Sequence, residues 1–215
     1  MGSGLHIPHS SAAGAGGGPR PNVEYADLTP RWDLPDRGKV GIACLIIAEA
    51  AIFTIFVVAY VFYLGKSATG PHPKDVLDFP LFISICLLSS SATITFAVSA
   101  LRKGRLGVFR AWWALTVALA VVFLAGTGLE WKRLIVEKGL TIRTNLFGTT
   151  FYSLVGLHAF HVIAGTSMFL VVLCLALSGK VAREHAERTH VLALYWHFVD
   201  AVWVVVLTVV YGVGR

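Results

Sequence analysis

The sequence predicts an all-α membrane protein, a bundle of five transmembrane helices with the N-terminus in the cytoplasm and the C-terminus outside, and three observations predict it. The 215-residue chain is 56% hydrophobic and only 14% charged, with a mean hydropathy of +0.71, too apolar for a water-soluble domain. Its apolar residues gather into five runs long enough to cross a ~30 Å hydrocarbon core as helices, which takes about 20 residues each. None of the runs shows the alternation of apolar and polar residues that marks a transmembrane barrel.

The first element is a tail, residues 1–35, in which Gly, Ala, Ser and Pro dominate from Met1 to Pro21. That composition cannot bury enough apolar surface to fold alone, so the tail is read as disordered and cytoplasmic, with residues 36–215 as the membrane domain. It lacks the apolar core and cleavage site of a signal peptide, and the first span is expected to direct insertion itself. The spans then run over about 39–65, 79–101, 108–130, 149–178 and 190–213. Breakers separate them: Gly70-Pro71-His72-Pro73, Gly104 to Gly107, and the polar stretch Lys180 to Thr189.

Orientation follows from the lysines and arginines. Eleven fall on the side of the N-terminus, among them Lys39, Arg102, Lys103, Arg105 and Arg183, against seven on the other, which places the N-terminus inside. The net charge of +6 therefore reports topology, and no nucleic-acid partner is expected. Cys44, Cys86 and Cys174 have no metal-binding or redox spacing and are expected to be small buried apolar side chains. Tyr60, Tyr63, Trp112, Trp113, Trp131 and Tyr211, near the ends of the spans, are expected to anchor the helices at the interface.

Five ionisable groups lie well inside the spans: Glu49 in the first, His158 and His161 in the fourth, His197 and Asp200 in the fifth. Glu49 lies about 15 Å in from Lys39, and both polar pairs fall about 10–15 Å deep, so all five are placed to share one layer. Within each pair the spacing of three residues puts both side chains on one helix face. Buried polar groups are costly in a membrane, and such residues mark a function or satisfy one another. For Glu49 a hydrogen-bonded structural acid and a proton-exchanging or lipid-headgroup site stand on equal terms. For His197 with Asp200 a hydrogen-bonded pair that fixes helix packing is preferred to a proton relay. A haem held by His161 and His197 is disfavoured by the bulky neighbours Phe160, Val162, Trp196 and Phe198, and no third ligand accompanies either pair. Catalytic residues, metal ligands and cofactor ligands are thus not expected. Small and hydroxylated residues, Ser89-Ser90-Ser91 with Thr93 and Thr95, and Gly156, Ala159, Ala164, Gly165 and Thr166, read as seams where helices touch.

The motifs themselves are specific. Tyr195-Trp196-His197-Phe198-Val199-Asp200-Ala201-Val202-Trp203 closely resembles the final-helix signature of subunit III of the haem-copper respiratory oxidases. Gly156-Leu157-His158-Ala159-Phe160-His161-Val162-Ile163-Ala164-Gly165 is similar to that family's two-histidine motif. Lys39-Val40-Gly41 with Ala48-Glu49 and Tyr60 resembles its acid-bearing helix, and the serines of the second span fit a third hallmark. The resemblance covers about residues 35–213 in order and matches the short, five-helix bacterial form. Departures are Thr127 three before Glu130, where glutamine is frequent, His190 where an acid is frequent, and Ala159 where glycine is usual.

The resemblance implies an accessory, non-redox subunit of a proton-translocating terminal oxidase in a bacterial plasma membrane. Haems and copper would belong to partner subunits. Subunit I would pack directly on this chain, with subunit II and a small subunit IV in the same complex and phospholipid bound on its flank. It further implies support of proton uptake, with cytochrome c as the donor to the complex. A quinol oxidase or a nitric-oxide-reductase-associated homologue is the alternative within the class. A stand-alone proton or ion transporter using Glu49 and the His197/Asp200 pair is the alternative outside it.

Overall fold

A computed structural model of the chain describes residues 37–66 and 80–213, all within the compact unit Pro35–Arg215. The expected disordered tail and the Gly70–Pro73 turn lie outside the described residues. The chain forms α1 (Arg37–Tyr63), α2 (Leu81–Arg102), α3 (Leu106–Val136), α4 (Leu146–Leu177) and α5 (Ala186–Leu207). A single 3₁₀ turn, Arg183–His185, leads into α5, and a π-helical turn, Thr208–Val213, continues it. All five are long and apolar enough to cross a membrane, making this a multi-pass membrane protein.

Local chemistry sets the ends. Pro80, with no backbone donor to lose, precedes α2, and the Ser84 hydroxyl donates to its carbonyl at 2.7 Å. Gly104, at φ 72°, lets the chain reverse between α2 and α3 where a side chain would strain the backbone. Asn145 caps α4, its side-chain oxygen accepting from the Gly148 N–H at 2.8 Å. The third helix continues past the expected end near residue 130 to Val136 and carries Glu130, Lys132 and Arg133 on its last turns.

The packing is a ring with one helix outside it. α2 lies most extensively along α3, α3 along α4, α4 along α5, and α5 returns to α2, while α1 packs chiefly on α4 and α5. Inside the ring sit Trp113, Trp196, Trp203, Phe109, Phe123 and Phe169, all fully buried. α1 buries only Phe53 and Tyr60 among its described side chains and turns Ile47, Ile55 and Val58 outward, each 60% exposed or more. At one end of the bundle Glu187 bridges Lys39 of α1 at 3.3 Å and Arg102 of α2 at 3.5 Å, so three helix ends meet there. Such exposed ion pairs contribute little stability. They do show that α1 starts where α2 ends and α5 starts, as alternating crossings require.

Two expectations are corrected. Tyr60, Trp113 and Tyr211 are core residues, at 1%, 0% and 5% exposure, and not interfacial anchors. Trp113 donates its ring N–H to the Phe169 carbonyl at 3.0 Å, and Tyr211 donates to Glu130 at 3.1 Å, so these two polar tips have partners inside the protein, whereas the buried Tyr60 hydroxyl has none among the described residues. Cys44 and Cys174 are exposed on the outer flank and Cys86 is half-buried, so these cysteines are not the buried fillers expected. An apolar run in a membrane protein carries no signal of which face looks inward, since lipid and core are equally apolar.

Gly165 shows how tightly α4 and α5 meet. A Cβ there would lie 2.8 Å from one Trp196 ring carbon and 2.9 Å from the next. Gly165→Ala is therefore expected to destabilise by about 1–3 kcal/mol, the range for forcing extra volume into a packed site. Gly156→Ala, whose Cβ would meet Trp131 at an ordinary 3.6 Å, is expected to be near neutral. Denaturation of the purified complex, followed by loss of the native tryptophan emission, compares the two.

Candidate functional site: two polar junctions

The five ionisable residues do not gather at one point. Glu49 and His161 form one junction, His197 and Asp200 a second, and His158 stands apart in an aromatic cage.

In the first junction α1 meets α4. His161 Nε2 lies 3.1 Å from Glu49 Oε2, and its Nδ1 lies 2.8 Å from the Leu157 carbonyl oxygen one turn back. A carbonyl only accepts, so Nδ1 carries a hydrogen. Nε2 and the carboxyl then share one proton between them: either Glu49 is protonated and donates to a neutral ring, or a carboxylate accepts from an imidazolium. Both arrangements are neutral overall, which suits a site within the span of the bundle. Phe53 lies over the ring at 5.0 Å, and Tyr195 donates its hydroxyl to the His161 carbonyl at 3.2 Å, drawing α5 in as well. Glu49 remains 23% exposed on the α1 flank while His161 is 7% exposed.

In the second junction α2 meets α5. His197 and Asp200 share a helix face as their spacing requires, yet they are joined through a third residue. The Ser91 hydroxyl donates to Asp200 Oδ2 and lies 3.0 Å from His197 Nδ1. Thr95 Oγ1 lies 3.5 Å from His197 Nε2 and donates to the Ser91 carbonyl at 2.9 Å. Asp200 is 4% exposed, and its Oδ1 has no hydrogen-bond partner among the described residues. Beside it, Trp196 donates to Ser90 Oγ at 2.7 Å and Trp203 to Ser84 Oγ at 3.1 Å. The serines read from sequence as a plain seam thus hold three functional groups of α5, and Ser91 is the site residue that the sequence reading missed. Its only signal was a run of three hydroxyls in an apolar helix, whose facing is set by packing.

His158 is 1% exposed, stacked on Trp203 at 4.9 Å and met edge-on by Phe53 and Phe123. Neither ring nitrogen has a hydrogen-bond partner among the described residues. No group of three His, Cys, Asp or Glu side chains placed to hold a metal is found among the described residues.

The same segments that build these junctions carry a family signature. A sequence profile described as cytochrome c oxidase subunit III matches residues 36–215. The chain belongs to the cytochrome c oxidase subunit III family. It is 38% identical over 147 residues to cytochrome c oxidase subunit 3 of Corynebacterium diphtheriae, covering 68% of this chain and 71% of that one. It is 34% identical over 168 residues to cytochrome c oxidase subunit 3 of Alkalihalophilus pseudofirmus, covering 77% and 82%. It is also 32% identical over 171 residues to cytochrome bo(3) ubiquinol oxidase subunit 3 of Pseudomonas aeruginosa, covering 79% and 81%. In this subunit III the Tyr195–Asp200 signature is a clamp: Tyr195 reaches α4, while Trp196, His197 and Asp200 reach the serines of α2.

Proposed function

We propose that the chain is the accessory, non-redox third subunit of a proton-translocating haem-copper terminal oxidase in a bacterial plasma membrane, reducing oxygen to water with electrons from cytochrome c. Subunit I, carrying haems and copper, packs directly on this chain. Subunit II and a small subunit IV complete the complex, and phospholipid occupies part of the flank. The end bearing Lys39, Arg102 and Glu187 faces the cytoplasm.

One observation carries this reading. Of the five buried ionisable groups, four are engaged in hydrogen bonds between helices, whereas α1 leaves a long apolar face outward. These polar contacts hold the bundle together and the outward face of α1 is left for other molecules to cover, which fits a packing subunit better than a transporter. The subunit supports turnover of its partners by stabilising subunit I and assisting proton uptake.

Affinity purification of the tagged chain from its native membrane tests this. The expected result is co-purification of a haem- and copper-bearing partner with oxygen-reducing activity. Recovery of the chain alone, together with charge movement by the purified chain in liposomes, would establish the transporter instead. The Pseudomonas relative, named as a ubiquinol oxidase subunit, supports a second reading in which quinol is the donor. Copper-binding cysteine and histidine ligands in the co-purified subunit II decide for cytochrome c.

A further inference from the structure

We infer that Asp200 is a proton-loading site filled from the bundle surface through His197 and Ser91. The inference rests on the reading above only in naming proton uptake as the use of such a site. Its geometry stands on α2 and α5 alone.

Between these two helices a cleft of about 170 Å³ is lined by Thr95, Ser99, Arg102, His190, Ala193 and His197. A water takes up about 30 Å³, so the cleft has room for a short file of them. It runs from the charged helix ends at Arg102 and His190 to His197. Asp200 lies ten residues beyond His190, about 15 Å deeper along the helix. His197 is half-buried at the inner end of this cleft, Ser91 is behind it, and Asp200 is last and sealed in.

The hydrogen bonds allow two states that differ by one proton. In the empty state Asp200 is a carboxylate accepting from the Ser91 hydroxyl, Ser91 Oγ accepts from His197 Nδ1–H, and Nε2 offers its lone pair to the cleft. A proton from bulk solvent, handed along the cleft waters so that each ends neutral, binds Nε2. The Nδ1–H bond then breaks as its proton forms a new bond to Ser91 Oγ, and the original Ser91 proton passes to Asp200 Oδ2. In the loaded state Asp200 donates to Ser91, Ser91 donates to Nδ1, and Nε2–H faces Thr95. Charge at the triad goes from −1 to 0 without any heavy atom leaving its place. Asp200 Oδ1, with no partner among the described residues, is the remaining lone-pair site of the loaded acid.

The surrounding elements leave this path to itself. Lys39 of α1 and Arg102 of α2 are engaged with Glu187 of α5. Glu49 of α1 and His161 of α4 satisfy each other, and His158 of α4 is enclosed by rings. His190, in the cleft wall, is the titratable neighbour at the mouth.

Infrared difference spectra of the intact oxidase in nanodiscs, taken across a pH step, test the proposal. A protonated-carboxyl band is expected that is absent in Asp200→Asn. Its hydrogen–deuterium exchange is expected to slow by roughly a hundredfold in Ser91→Ala, the low end of what a positioned proton carrier contributes. Ser91→Thr, which keeps a hydroxyl, is expected to restore it. His197→Gln gives a second reading of the same step, slow exchange being expected there too. The proposal is overturned if no pH-dependent band distinguishes wild type from Asp200→Asn, or if Ser91→Ala or His197→Gln exchanges as fast as wild type in an assembled complex. Membership of the oxidase is judged separately by co-purification. Slowed exchange with unaltered proton uptake by the Ser91→Ala oxidase would leave the site standing and overturn the assignment of its use.

Discussion

Trp196→Ala is expected to cost about 3–5 kcal/mol, the range for emptying a large buried aromatic site, and to leave little assembled subunit in the membrane. The Trp196 side chain ties three helices, α2, α4 and α5, together. Its ring is fully buried, lies against Phe169 of α4 at 4.8 Å and fills the space that Gly165 leaves open, while its N–H reaches Ser90 of α2. Inside a membrane lipid tails are as apolar as the core, so the loss is one of dispersion contacts and of one hydrogen bond more than of hydrophobic burial. Trp196→Phe separates the two. It keeps most of the ring and deletes the N–H, and Ser90 retains its own bond to the Leu87 carbonyl. The expected cost is about 1–3 kcal/mol, about 1 of it the usual net value of one such bond and the rest the smaller ring's lost contacts. Immunodetection of the subunit in washed membranes and denaturation of the purified complex measure both variants. Equal losses for Ala and Phe would show that the bond, and not the ring, holds α5.

Glu49→Leu is expected to destabilise the bundle, and Glu49→Gln to be nearly silent for assembly. With Nδ1 committed to the Leu157 carbonyl, Nε2 of His161 requires a partner that shares a proton with it. Leucine supplies none, and the stranded buried nitrogen costs about 1–3 kcal/mol. Glutamine offers an N–H to a neutral ring and holds α1 in place. It cannot exchange a proton. Proton uptake by the Glu49→Gln oxidase therefore reports whether the carboxyl titrates, with assembly held constant. Glu49→Leu paired with His161→Leu is expected to recover much of the single-variant loss, since both polar partners are then gone. If the two single losses simply add, the contact contributes nothing to stability.

The five spans were legible because length and apolarity alone decide whether a segment crosses a bilayer. Helix ends were less so. Hydropathy falls at Glu130, yet the backbone of α3 goes on bonding to Val136, because charged residues at a membrane boundary interrupt apolarity and not the helix. The site was half legible. Glu49, His161, His197 and Asp200 stood out as costly residues in apolar surroundings, and spacing placed each pair on one face. That Glu49 would choose His161, or that Ser91 would stand between His197 and Asp200, depends on helix rotations and on contacts more than a hundred residues apart in the chain, at separations of 112, 106 and 109. Cys44 and Trp113 were misplaced for a related reason: Cys44 faces outward and Trp113 inward, and neither residue type settles that in a membrane.

The placement of α1 outside the ring, against α4 and α5, sets a timetable for biogenesis. Among the described helices α1 is made before the others, but its chief neighbours, α4 and α5, are made after all the rest. Glu49 precedes His161 by 112 residues, which at about 5–20 residues per second is a wait of roughly 6–22 s. Throughout that interval the acid side chain stands in the bilayer or the insertion machinery without its imidazole. An acid side chain without a partner at that depth is costly to hold. The nascent first helix is thus a client that needs a sheltering neighbour until translation of the fourth helix ends its exposure.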